Sequence, residues 1–427
     1  MTHEHKPMRW MTKLGFLAVL YLAQGLPYGF FTQALPVLLR KQGLSLPAIG
    51  LTSLLALPWA LKFLWAPLVD GRWWPSVGRR RSWILPTQAL AIGVLLLMTG
   101  LDPGSEMVWL LTGIFVINAL AATQDIATDG LAVSLLDDHE RGLGNGVQVA
   151  GYRVGTIVGG GALLITFSAL GWSLTFATMI FLMIAASLPV LAWKEPPTQR
   201  PDPPAAAGQS ATQNSGPGPL RRFVGRDGIG PWLVLLLVYK TGDALGGGMV
   251  KPFMVDIGLE LEQIGALIGT VGFIAGLVGA MLGGWWVGKL GRRKALLLFG
   301  ALQSVAIGLY VLPALGWTQM RLLGAIVCGE HFMGGLATAA LFTAMMDVCD
   351  PDQGGTDYTV QASIVVIANG GAAALSGFAA KALGFEWFFV VSAVLSALGL
   401  LALRKTIFER LGLERAAQSD TTTPAAS

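Results

Sequence analysis

The chain has 427 residues, of which 53% are hydrophobic and only 13% charged, and its mean hydropathy is +0.61. Soluble domains carry roughly 25% charged residues, so a soluble globular fold is excluded. Apolar runs of about 18–25 residues recur without strand-like alternation, which excludes a membrane barrel and predicts helices that each cross a hydrocarbon core of about 30 Å. The net charge of +4 is small, and no nucleic-acid partner is expected.

Twelve spans are predicted in two sets. The first six run over 14–38, 47–67, 83–101, 108–134, 143–169 and 172–193, and the second six over 231–254, 263–287, 295–313, 321–346, 359–381 and 386–404. The predicted organisation is an N-terminal six-helix bundle (1–193), a linker rich in Pro, Gly and Ser (194–230), a C-terminal bundle (231–405) and a polar tail (406–427). Such a linker cannot bury a core. The first apolar run is longer than a signal-peptide core and no A-x-A site follows, so it is expected to be a true span.

Span one reads AQGLPYGFFTQALP, and Gln24, Tyr28 and Gln33 offer donors and acceptors there. Lys62 stands near the end of span two and is expected to snorkel. The loop that follows, DGRWWPSVGRRR, carries Asp70, Arg79 and Arg80. Span four holds TQDIATD: Gln124, Asp125 and Asp129. An ionisable group at membrane depth is costly and marks a pathway, and a spacing of four puts the two carboxylates on one helix face. Arg141 opens span five, where Gly151, Gly155 and Gly159 form a stripe for close helix packing, static or sliding. Arg153 on that span is the expected partner of Asp125 or Asp129.

Span seven, KTGDALGGGMVKP, is broken like span one and carries Lys240 and Asp243. Broken helices at matching places of two halves point to a midplane site. A kink filled by neighbouring side chains is the structural alternative. Span eight has its own glycine faces, and Glu330 with His331 lies on span ten.

The halves repeat. GRRR at 78–81 and GRRK at 291–294 are 213 residues apart, as are Val147-Gln148 and Val360-Gln361, and Pro36 and Pro252 occupy the two first spans. At that offset Thr338 and Phe342 stand opposite Asp125 and Asp129, so a duplicated architecture does not require the carboxylates. With the N-terminus inside, 21 of the 29 Lys and Arg are cytoplasmic, which places both termini and the linker on that side. No HExxH or GxSxG motif occurs, and Lys240 spoils the Gly-x-Gly-Asp pattern of an intramembrane protease, so an enzyme is not expected and no catalytic residues are assigned. Cys328 and Cys349 form no CxxC pattern; no metal site and no cofactor are expected.

The loop motifs resemble the signature of the major facilitator superfamily between helices two and three. Only the first half keeps its aspartate, Asp70; Gly288 occupies the place in the second, so a latch of Asp70, Arg79, Arg80 and Arg141 is expected to be one-sided. The stretches AQGLPYG, ALKFLWAPLVD, GRRRSWILPTQ, TQDIATD and ERGLGNGVQVAGYRVG resemble the AmpG-related branch of that superfamily. That branch includes anhydro-muropeptide permeases, acetyl-coenzyme A transporters and ferric-siderophore permeases.

The resemblance implies an all-α polytopic membrane protein of two pseudo-symmetric six-helix bundles working by alternating access. It also implies proton-coupled import of a polar periplasmic solute across a bacterial inner membrane, by an expected monomer. Muropeptide permeases of the branch are typically longer by two helices, so the compact form points first to a ferric siderophore and second to an anhydro-muropeptide. Asp125, Asp129 and Arg153 are then the proton-coupling candidates. Gln24, Tyr28, Gln33, Gln124, Lys240 and Asp243 are the solute-binding candidates.

Overall fold

A backbone in hydrocarbon has no water to bond, so it satisfies its own N–H and C=O groups as helix. The computed structural model describes residues 9–35, 39, 52–102, 105–195 and 218–413, and it contains helices and no strand among them. Pro36, Arg40, Lys41, most of the linker and the end of the tail lie outside the described residues.

In the first half, α1 (Trp10–Gly29) runs through Pro27 and widens into a π-helical turn at Phe30–Ala34. Pro27 removes one rung of the hydrogen-bond ladder, and the wider turn follows directly. The second predicted span is chopped. It comprises a 3₁₀ turn at Thr52–Ala56, α2 (Leu57–Leu61), a second 3₁₀ turn at Lys62–Leu64, and α3 (Ala66–Gly71). Pro58 and Pro67 sit in the first turns of α2 and α3, where a missing N–H costs nothing.

Then come α4 (Arg81–Thr99), α5 (Met107–Leu135), α6 (Arg141–Ile157) and α7 (Leu163–Ala192). Gly171, at φ 78°, is the joint between predicted spans five and six. In the second half, α8 (Ile229–Tyr239) and α9 (Thr241–Asp256) are separated at Lys240. A π-helical stretch, Gly265–Gly272, leads into α10 (Phe273–Leu290). It is followed by α11 (Arg292–Gly308), α12 (Met320–Asp347) and α13 (Gly354–Gly399), which turns at Gly384.

Nine helical segments among the described residues are long and apolar enough to cross a membrane. The longest, Pro351–Ala402, is two helices joined at Gly384. Large apolar side chains such as Leu97, Val108, Phe181 and Phe378 are strongly exposed, as lipid-facing residues are.

The chain packs as two compact units. The first takes in 1–135, 151–224 and 349–360, and the second 136–150, 225–348 and 361–427. Each unit therefore contains a short segment from the opposite half of the sequence. Inside the first unit the α6 stripe is a close-packed joint against α1. A Cβ on Gly151, Gly155 or Gly159 would fall 2.7, 2.2 and 1.9 Å from the carbonyl oxygens of Ala18, Leu22 and Leu26. In the second unit Gly279 and Gly283 pack the same way on Phe332 and Leu336 of α12, whereas Gly265 and Gly269 meet nothing within 4 Å.

Candidate functional site

The two carboxylates of α5 are buried and face one another's partners. Lys62 Nζ donates to Asp125 Oδ2 and lies 3.8 Å from Asp129 Oδ2. Tyr21 on α1 donates its hydroxyl to Asp129 Oδ1 at 2.9 Å. Lys62 is 3% exposed, so the expectation that it snorkels is corrected. The 3₁₀ turn at Lys62–Leu64 places this side chain beside α5, where an unpaired ammonium would be intolerable and two carboxylates receive it. The structure thus puts Lys62 on Asp125, in the place the sequence reading gives to Arg153. Arg153 itself is half-buried on α6.

Around this centre lies an aromatic wall. Tyr28 packs against Trp59, Tyr152 and Phe31 with ring centroids 5.7, 5.6 and 6.2 Å apart. Trp59 donates to Asn118 Oδ1 at 2.9 Å, its ring 5.8 Å from Lys62 Nζ. Trp65 donates to Thr123. Gln24 is buried on α1, and neither its Oε1 nor its Nε2 finds a partner among the described residues; Gln124 Nε2 on α5 is in the same position. Gln88 on α4 matches them and was not singled out by sequence. Buried amides without partners are unusual. The Gln33 side chain lies outside the described residues.

In the second unit Lys240 sits at the break between α8 and α9 and pairs with Asp243 at 3.0 Å, one helical turn on. Asp243 Oδ1 and the Tyr310 hydroxyl are buried and lack partners among the described residues. Tyr310 lies within electrostatic reach of Asp243 and Glu330. His331 Nδ1 is 2.5 Å from Glu330 and its ring fills the space beside Gly272.

Charged clusters mark the helix ends. Arg80 Nη1 meets Asp70 Oδ1 at 2.5 Å, and the other oxygen accepts from Thr356 N–H in the first turn of α13. A carboxylate is well placed at a helix N-terminus. Arg79 donates to the Asp70 and Asp352 carbonyls. Burial and the neighbouring Arg80 lower the Arg79 pKa from its ordinary value. Gly130 and Gly355 leave room for the Arg80 guanidinium, since a Cβ would come within 2.4 and 3.1 Å of Nη1.

In the second unit Asp347, at the end of α12, binds Arg141 at 3.0 Å and Arg292 at 2.5 Å. The expectation of a one-sided charged cluster is therefore corrected. The second carboxylate comes from another helix, not from the loop position that Gly288 occupies. Glu195, just past α7, accepts from the backbone N–H groups of Arg80 and Arg81 at 2.8 and 2.9 Å and so caps α4. Its burial pushes the carboxyl pKa up from the ordinary value. No group of three or more metal-ligating side chains occurs among the described residues.

The Major Facilitator Superfamily model matches residues 17–371 and 232–424. The chain belongs to the major facilitator superfamily. It is 32% identical over 391 residues to the anhydromuropeptide permease of Escherichia coli K12, covering 91% of this chain and 78% of that one. An uncharacterised Haemophilus influenzae protein is 31% identical, with 89% and 91% covered. The crystal structure of the facilitator FucP in its outward conformation superposes with a TM-score of 0.67 at 14% identity, covering 92% of this chain and 98% of that one; it shares the fold. Within the superfamily the likeness is to AmpG-type permeases, and the expected resemblance to siderophore permeases gains no support. Its relatives are permeases, in line with a transporter and not an enzyme.

Sequence reasoning missed Tyr21, the inward role of Lys62, and Asp347. Tyr21 had a usable signal: it lies three and seven residues before Gln24 and Tyr28, on one face of α1.

Proposed function

We propose that this facilitator is a proton-coupled permease that imports an anhydromuropeptide across a bacterial inner membrane, with both termini cytoplasmic and the monomer as the working form. The observation that carries the reading is the 32% identity sustained over 91% of the chain to a permease of that name. It outweighs the length argument for a siderophore, because the likeness runs over 391 residues and takes in 78% of that permease.

The geometry supports the transport chemistry. A buried carboxylate pair shares one lysine, close to an aromatic wall and to amides without protein partners, which suits a polar solute and a titrating group. In this reading Gln24, Tyr28, Gln33, Gln124, Lys240 and Asp243 contact the solute, Asp125 and Asp129 with Arg153 serve proton coupling, and Asp70, Arg79, Arg80 and Arg141 hold one conformation. The solute is taken up by alternating access.

The test is complementation of an Escherichia coli strain lacking its anhydromuropeptide permease, read as labelled anhydromuropeptide uptake and as loss of spillage into the medium. Uptake abolished by a protonophore is expected. Failure to take up the label, together with restored growth on a ferric siderophore as sole iron source, would move the assignment to iron-chelate import.

A further inference from the structure

We propose that Asp129 is the carboxylate that takes up and releases the coupling proton, with Asp125 as the fixed partner of Lys62. This rests on the proton-coupled reading above and assigns its titrating residue.

The site holds one cation and two carboxylates, all buried. Fully ionised it would carry one uncompensated negative charge at membrane depth, which one proton removes. The partners decide where that proton goes. Asp125 is in direct contact with Lys62, which can only donate. Asp129 stands 3.8 Å from the same ammonium, and its other oxygen receives the Tyr21 hydroxyl at 2.9 Å. A phenol both donates and accepts, so Tyr21 serves Asp129 as carboxylate by donating and as carboxylic acid by accepting. Asp129 therefore has in Tyr21 an acceptor for its O–H when protonated, whereas Lys62 offers Asp125 only a donor and favours its carboxylate form.

The charged and titratable groups around Asp129 fit this division. Lys62 approaches from the 3₁₀ turn, Asp125 lies one turn away on α5, and Tyr21 approaches from α1. Tyr358, on the segment 349–360, is within electrostatic reach of Tyr21. Arg80, against Gly130, is already committed to Asp70. Arg153 lies half-buried on α6. With Asp129 protonated, Lys62 and Asp125 form a neutral pair. When the proton leaves, Lys62 becomes shared between two carboxylates, and the site is charged.

The test uses the full chain, purified and reconstituted in liposomes, with infrared titration of the protonated-carboxyl C=O band. The wild type is expected to show a titrating band that Asp129→Asn removes and that Asp125→Asn retains. Where Asp125→Asn alone does not fold, Lys62→Met with Asp125→Asn removes both charges of the pair and is expected to keep the band. Tyr21→Phe should shift its midpoint. In the same liposomes, accumulation of labelled anhydromuropeptide under an inward proton gradient should fall to the no-gradient level in Asp129→Asn. A band lost with Asp125 and kept without Asp129, or gradient-driven accumulation intact in Asp129→Asn, overturns the assignment. If the wild type does not carry the anhydromuropeptide, the substrate reading has failed, and the infrared titration still decides between the two carboxylates.

Discussion

Replacing Gly155 with alanine should destabilise the protein, although alanine is the better helix former. The added Cβ would stand 2.2 Å from Leu22 O, 2.9 Å from Gly25 Cα and 3.0 Å from Leu22 C, all of them backbone. Close carbon–oxygen contacts between helices settle at about 3.3 Å or more, so α1 and α6 would have to part by about 1 Å. A flexible side chain could swing aside, but two hydrogen-bonded helices cannot. The upper end of the overpacking range, about 3 kcal/mol, therefore applies. Helix propensity returns about 1 kcal/mol, leaving a net loss of about 2 kcal/mol. Gly15 on α1 is the control: nothing lies within 4 Å of its Cβ position, so Gly15→Ala should stabilise by up to about 1 kcal/mol. The two substitutions have opposite signs, and the loss should grow in the order Gly151, Gly155, Gly159. Unfolding of the purified protein in detergent measures this. Equal shifts for Gly15→Ala and Gly155→Ala would refute the close-packed joint.

Asp70→Ala strands Arg80, which is 2% exposed, and should cost about 3–5 kcal/mol. The double variant Asp70→Ala with Arg80→Met should recover most of that loss in the same unfolding assay. Glu195 has its folded pKa raised above the ordinary 4.5. Its contribution to stability is thus full below that value and is lost as pH rises through the raised one. Melting temperature should fall with pH across that window in the wild type, and Glu195→Gln should flatten the fall. Gln24→Met removes a buried amide without a protein partner. It should leave melting unchanged and weaken the apparent affinity for anhydromuropeptide in uptake; unchanged uptake would remove Gln24 from the solute site.

The fold was legible because membrane helices announce themselves by length and apolarity, and the repeat fixed their order. Details that depend on local backbone were not. The first span is expected to be interrupted within AQGLPYGFFTQALP; Pro27 stays helical, and the disturbance inside that stretch is a π turn at Phe30–Ala34. The seventh is expected to be interrupted within KTGDALGGGMVKP, and the break falls at the first residue of that stretch, Lys240. Proline and glycine weaken a helix over several residues, and neighbouring helices decide which residue yields.

For the site, α5's carboxylates were visible as charges in an apolar run. Their partner was not, because a lysine five residues before the next proline reads equally as a snorkelling anchor or an inward charge, and only the 3₁₀ turn at Lys62–Leu64 decides. The internal repeat does hold a clue. Asp125 and Asp129 correspond to Thr338 and Phe342 at the 213-residue offset, and the offset of the charged loops, 78 to 291, is the same. Lys62 corresponds to Ala275 at that offset. Aligning Asp70 with Gly288 shifts the register to 218 and puts Ala280 there instead. At either register an alanine stands in place of the lysine, and at the 213-residue offset both carboxylates are absent as well. A lysine used as a membrane anchor could remain when the carboxylates are absent, whereas a lysine that exists to pair with them could not. Its disappearance with them argues that Lys62, Asp125 and Asp129 form one device added to a single half of a duplicated scaffold.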